Sequence, residues 1–266
     1  MFRRILLILW FIFRISSSFA TGQTPDYLVV NADTFLLFSN PLETLPDKAK
    51  FARDFLNNWD TSCWRGYIAY WQLTDNKLYL TNIVSCSFAN RHAVPLATLF
   101  GDQFNKGWVL ADWFSGDLIS PRGKLLRYYH DAYKSIYAYE MVYQFNQGTL
   151  SSKTVFDNRK TKISTYEVDN GKLKHFVYSR IAWNKLPTLP TDLVIKVFVR
   201  IISHPEGGKP AIKLIKGAGS VWDTEAVRVM RLLPEWSVDY ISGKFRPTAY
   251  HFPILFSEAN KKRYVK

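Results

Sequence analysis

The stretch Cys63-Trp64-Arg65-Gly66-Tyr67-Ile68-Ala69-Tyr70-Trp71-Gln72-Leu73-Thr74-Asp75-Asn76-Lys77-Leu78-Tyr79-Leu80-Thr81-Asn82-Ile83-Val84-Ser85-Cys86 decides the fold. Two arms rich in β-branched and aromatic residues flank Asp75-Asn76, which is turn chemistry, so the segment reads as a β-hairpin. Cys63 and Cys86, the only two cysteines, then lie almost opposite each other at the open end. A register shift or a bulge would bring them within bonding range. A cross-link there in an exported chain would contribute about 3 kcal/mol through loop closure. The competing reading is a pair of buried free thiols. Neither reading makes a zinc site: His92 is the nearest histidine and no C-x-x-C pair exists.

Outward from the hairpin, the chain keeps the same character. Residues 26–38 read as extended, with a polar turn at Asn31-Ala32-Asp33. Pro46 opens a short helix in which Ala52, Phe55, Leu56 and Trp59 form one apolar stripe. Ala93–Phe100 reads as one turn or a short helix. Three turn signals follow, at Ser120-Pro121-Arg122-Gly123, Asn146-Gln147-Gly148 and Asp169-Asn170-Gly171, each placed between two β-prone runs. Residues 21–182 therefore read as one β-rich, antiparallel meander domain. Trp183–Thr191, with Pro187 and Pro190, reads as an extended connector. Residues 192–258 form a second block and 259–266 a basic tail. The predicted class is α+β, dominated by strand.

Composition limits what such a chain can do. It has 266 residues, of which 47% are apolar, with 9 Trp, 15 Tyr and 19 Phe. That is enough for one large or two modest cores, and it excludes a disordered or low-complexity protein. The formal charge of +13 raises the question of nucleic acid. Residues 1–20 answer part of it. Arg3 and Arg4 precede an apolar run from Ile5 to Phe13, Arg14 ends the run, and Ser18 and Ala20 offer a small-residue cleavage site. This is the pattern of a secretory signal peptide, and the run is too short to span a bilayer. Three of the basic residues and no acidic ones lie in it. The remaining Lys and Arg are scattered, and no nucleic-acid motif accompanies them. The expectation is a periplasmic or secreted protein with no transmembrane span in the mature chain.

The C-terminal block carries a pattern. Leu193–Ile202 and Lys209–Lys216 are β-prone runs separated by a turn, and Gly217-Ala218-Gly219 precedes an amphipathic helix. Trp222, Ala226, Val229, Met230 and Leu233 line one face of that helix, with Arg228 and Arg231 on the other. Leu233-Pro234-Glu235-Trp236, a Ser242-Gly243-Lys244 turn and a last run Tyr250-His251-Phe252-Pro253-Ile254-Leu255-Phe256 follow. In this order the block resembles the C-terminal domain of TonB-type energy transducers, over about a quarter of the chain. The resemblance implies a small ββαβ domain that binds an envelope protein, such as a TonB-dependent receptor, by strand addition along its last strand. The matching residues are Tyr250, Phe252, Ile254 and Phe256. Pro253 removes one donor from that edge. A membrane anchor, a Pro-rich spacer and a Tyr-Pro motif characterise that family; here a β-rich domain replaces the spacer and Leu189-Pro190 stands where Tyr-Pro would be.

No catalytic constellation emerges. His92, His130, His175, His204 and His251 are scattered, and Asp112, Asp117 and Glu140 have no fixed separation. No hydrolase, zinc-protease or phosphate-loop motif is present, and no metal or cofactor is expected. The expected function is non-enzymatic binding of another envelope protein. The alternative is a secreted ligand-binding module in which Trp64, Tyr67, Trp71 and Trp113 of the β-rich domain stack on a glycan or peptide.

Overall fold

The structure, a computed structural model, describes residues 22–46, 60–86 and 91–264. The expected signal peptide, residues 1–20, and the expected helical stripe of Ala52, Phe55, Leu56 and Trp59 lie outside the described residues. Nine strands form the first sheet: β1 (Asp26–Val30), β2 (Asp33–Leu37), β3 (Tyr67–Thr74), β4 (Lys77–Ser85), β5 (Phe104–Asn105), β6 (Trp108–Leu110), β7 (Gly116–Arg127), β8 (Ile136–Asn146) and β9 (Thr149–Asp157). Their order is β2-β1-β3-β4-β9-β8-β7, with β6 paired to β4 and β5 to β6. The pairs are antiparallel except β1 with β3, which run parallel, so the sheet is mixed rather than a pure meander.

The β3–β4 hairpin turns on Asp75-Asn76 as expected, both with positive φ. Its register shifts at Tyr70/Trp71, and Cys63 and Cys86 form a disulfide with Cα atoms 6.3 Å apart. The sheet curls on itself. Phe38 N–H donates to the Ile119 carbonyl (2.7 Å) and Ser120 Oγ donates to the Leu36 carbonyl (2.6 Å), so the end of β2 meets β7. Leu28, Leu37, Trp71, Leu78, Leu80 and Leu118 fill the inside.

Two sequence expectations are corrected. Ser120–Gly123 is not a turn: β7 runs straight through it, with Pro121 opposite Glu140. The register shifts beyond Arg122, and Gly123 has φ +74°. Proline and glycine here mark a bulge in a strand whose outer side is only partly paired, where a missing donor costs little. Asp169-Asn170-Gly171 is not a hairpin either. It joins α1 (Leu96–Phe100)'s successors in the chain, α2 (Thr165–Val168) and α3 (Asn170–Tyr178). Asp169 accepts from Lys172 N–H (2.9 Å) and caps α3, while Leu173, Phe176 and Val177 are buried at helical spacing. The same residue types serve turns and helix N-caps, and the periodicity that follows them decides between the two.

The second core reaches back to Leu173, so Leu173, Phe176, Tyr178, Trp183 and Leu189 pack with the C-terminal block. That block contains β10 (Ile195–Ile202), β11 (Ala211–Lys216), α4 (Ser220–Met230), β12 (Asp239–Ile241), β13 (Lys244–Arg246), β14 (Ala249–Phe256) and α5 (Glu258–Tyr264). β10 is central in a three-stranded antiparallel sheet of order β11-β10-β14. α4 covers one face through Trp222, Ala226, Val229 and Met230, as its periodicity predicts. Overall the protein is α+β and strand-rich, with no described helix long and apolar enough to cross a membrane.

Buried polar groups hold the first core in register. Asp26 is fully buried and accepts from Ala69 N–H (3.1 Å), Trp71 Nε1 (3.3 Å) and Arg65 (3.2 Å). Arg65, its side chain 3% exposed, also donates to the Thr24 carbonyl and to Tyr133 Oη. Burial pushes the Asp26 carboxyl up to about 6, against the opposing pull of Arg65. A raised pKa means that folding favours the protonated form. The stability this group contributes is therefore full below about pH 4 and falls as pH rises toward 6, by at most about 3 kcal/mol. Denaturant unfolding of wild type and Asp26→Asn tests this. The difference in unfolding free energy, wild type minus variant, is expected to shrink between pH 4 and pH 6.5; a flat or growing difference contradicts the assignment.

Candidate functional site

A three-stranded sheet has two edges, and here they differ. On β14 the side chains of Phe252, Ile254 and Phe256 are buried in the second core, and Tyr250 is half-buried against Trp236. They face the interior rather than a partner. The C-terminal half of that edge's backbone is also occupied. Leu255 N–H donates to Tyr178 Oη (3.0 Å), and the Leu255 carbonyl accepts from Asn260 Nδ2 (2.8 Å). In an antiparallel ladder alternate residues turn their amides outward, so Leu255, Pro253, His251 and Ala249 are the outward positions. Pro253 has no N–H, which leaves the amides of His251 and Ala249, in the first half of the strand, to donate.

The β11 edge is open. Ile202 pairs with Ala211 and Arg200 with Lys213 on the side facing β10, so Ile212 and Leu214 point their amides outward. No described residue hydrogen-bonds those outward groups. The register shift at Phe198/Val199 leaves Ile215 as the extra residue of a bulge. Every residue of β11 except the half-buried Ile212 is exposed, including Leu214 and Ile215. Beside this edge lies an open groove of about 670 Å³, lined by Leu214, Asp223, Thr224, Val227, Arg228, Arg231 and Leu232. Its floor is apolar and its rim is mainly cationic.

Local chemistry sets the angle of α4 and hence the groove. Asp223 accepts from Ala218 N–H (2.7 Å), closing the turn before the helix. Gly217 allows this approach, because a Cβ there would collide with the Asp223 carboxylate. On the far side, Glu225 accepts from Ala182 N–H (2.6 Å) and from Arg228 (2.6 Å), and Arg228 also donates to the Arg180 carbonyl. Burial works to raise the Glu225 pKa, but these hydrogen bonds outweigh it and hold the carboxyl below its ordinary value.

The other sequence candidates do not converge. Tyr67 and Trp71 are core residues, Trp113 is half-buried against Phe100, and only Trp64 stands in solvent. Asp112 and Asp117 are exposed, while Glu140 accepts from Asn158 and Ser242 across the seam between the two cores. Among the described residues no three His, Cys, Asp or Glu side chains gather as a metal site. The β11 edge was not singled out in the sequence. Its one legible mark is Lys213 and Lys216 set among apolar residues, a common guard of an edge strand. Comparison with protein-family models, with curated proteins and with solved structures finds no match.

Two predictions follow from this geometry. In amide hydrogen exchange, Leu255 is expected to exchange slowly and Ile212 and Leu214 fast, although both strands belong to one sheet; equal protection of the two edges contradicts the open-edge geometry. Gly217→Ala is expected to destabilise the fold by about 1–2 kcal/mol, and by clearly less in an Asp223→Ala background, because the two changes disturb one contact. A double-mutant denaturation cycle measures this, and additive effects count against the contact.

Proposed function

We propose that this chain is an exported, non-catalytic binding protein of the cell envelope, and that its C-terminal sheet takes up an extended segment of another envelope protein by strand addition along Ala211–Lys216. The observation that carries this reading is the outward ladder at Ile212 and Leu214, open beside the apolar groove under α4. An added strand would supply main-chain partners there, and its alternate side chains would cover Leu214, Val227 and Leu232. Lys213, Lys216 and Arg231 favour acidic residues at the intervening positions. The order β10-β11-α4-β14, with the short β12–β13 pair inserted before the last strand, is compatible with the TonB-like reading of this block, and a segment of a TonB-dependent receptor is the partner class that reading implies. The working edge is then not the last strand, because Tyr178, Asn260 and Pro253 interrupt its C-terminal half.

Photocrosslinking in the envelope tests the proposal. p-Benzoylphenylalanine at position 213 is expected to crosslink to one extended segment of an envelope protein, and the same group at position 251 is not. Leu214→Pro removes an outward donor without deleting a bond to β10, so it is expected to abolish the position-213 crosslink while leaving the melting temperature close to wild type. Crosslinks confined to position 251, crosslinks that survive Leu214→Pro, or none at position 213 contradict the proposal.

A further inference from the structure

The first sheet carries an aromatic corner that its core does not use. Tyr79 on β4 pairs with Leu110 on β6, and Trp108 lies two residues before Leu110 on the same face. The alternate residue Val109 is fully buried and Phe104 packs on the core, so Trp108 and Tyr79 stand on the opposite, outer face. Their rings lie 5.2 Å apart, tilted by 49°, and Trp108 remains 40% exposed. The hairpin holding Trp108 turns on Lys106-Gly107, both with positive φ. That two-residue turn is a tight one, which holds the indole on a defined platform.

A cleft of about 650 Å³ opens over this corner, and Asp102, Gln103, Asn105 and Lys106 stand around it. All four are exposed, and none of their side chains has a partner among the described residues. We infer that this corner binds a neutral pyranose unit of a saccharide. A pyranose ring presents a C–H face that packs on an indole, and a perimeter of hydroxyls. The Asp102 carboxylate accepts from hydroxyls, and the Gln103 and Asn105 amides both donate and accept. A purely apolar ligand would leave these groups desolvated without partners. Asp102 and Lys106 offset each other's charge, which disfavours a strongly anionic ligand. The inference is independent of the β11 edge, on the other sheet.

Titration with cellotriose, maltotriose and chitotriose, read by calorimetry and Trp fluorescence, tests it. At least one is expected to bind saturably with a dissociation constant of about a millimolar or tighter. Trp108→Ala is expected to weaken that binding about tenfold or more, while Tyr128→Ala, at an exposed aromatic residue outside the cleft, leaves it unchanged. Should Trp108→Ala lose its cooperative melt, the exposed pair Gln103→Ala and Asn105→Ala provides the same test, with a several-fold loss expected. The inference is overturned if none of the three sugars binds at about 10 mM, or if binding survives these substitutions or is lost equally in Tyr128→Ala. Such a failure leaves the strand-addition reading untouched, since Lys213 crosslinking reports on that alone.

Discussion

The buried Asp26–Arg65 pair is the interaction on which the first core depends. It joins three pieces of chain that sequence order does not bring together: the start of β1, the turn beside the disulfide, and the segment around Tyr133. The Asp26 carboxylate also takes the Ala69 amide and the Trp71 indole N–H, fixing where β1 lies against β3. That pairing is parallel and not enforced by any short turn, so it needs such a pin. The desolvation of two charges is expensive, and the pair contributes specificity of register more than net stability. Removing one partner is different, because it strands the other charge in the core. The Cys63–Cys86 bridge works beside the pair by tying the same turn to the end of β4.

A polar seam joins the two cores, in contrast to the apolar filling of each. Arg127 at the end of β7 donates to Glu167 on α2 (2.5 Å) and to Asp239 on β12 (2.9 Å), and Tyr129 also donates to Asp239. Burial is the larger influence on the Arg127 guanidinium and acts to lower its pKa, but the two carboxylates outweigh it. Farther along, Glu140 accepts from Ser242, and Asn158 accepts from Gly243 N–H. Lys162 and Val238 exchange backbone hydrogen bonds. Directional bonds of this kind fix relative orientation in a way that sliding apolar faces do not. The C-terminal sheet, with its open edge, is thereby presented in one pose to the rest of the protein.

Much of the fold was legible where local chemistry and long-range packing agree. The β3–β4 hairpin, the Asn146–Gly148 turn and the α4 stripe carry signals within a dozen residues, and all three stand as read. The signals misled where one residue type has two uses. Gly123 and Pro121 suit a turn and a bulge equally, and the 12-residue length of β7 depends on β8 lying alongside. Asp169 suits a hairpin and a helix cap equally. Leu173, Phe176 and Val177 carried the helical spacing that separates the two, and a turn signal overrode it. The candidate edge was less legible still. Whether a strand edge is open depends on residues far away in sequence, and Tyr178 reaches Leu255 across 77 positions.

The unequal edges of the C-terminal sheet are guarded by different means, one of them charge. An edge strand left open pairs with any other edge, including its own copy, unless something prevents it. On the C-terminal half of β14 proline and two side-chain hydrogen bonds do this by removing the pairing groups. On β11 the pairing groups at Ile212 and Leu214 survive, and Lys213, Lys216 and the Ile215 bulge stand guard instead. Two β11 edges brought together would oppose lysine to lysine, a repulsion that disfavours self-association. An acidic segment meets the same lysines as partners. On the proposed strand-addition reading, the charges that disfavour self-pairing would also select an acidic occupant, so one set of residues would serve both ends.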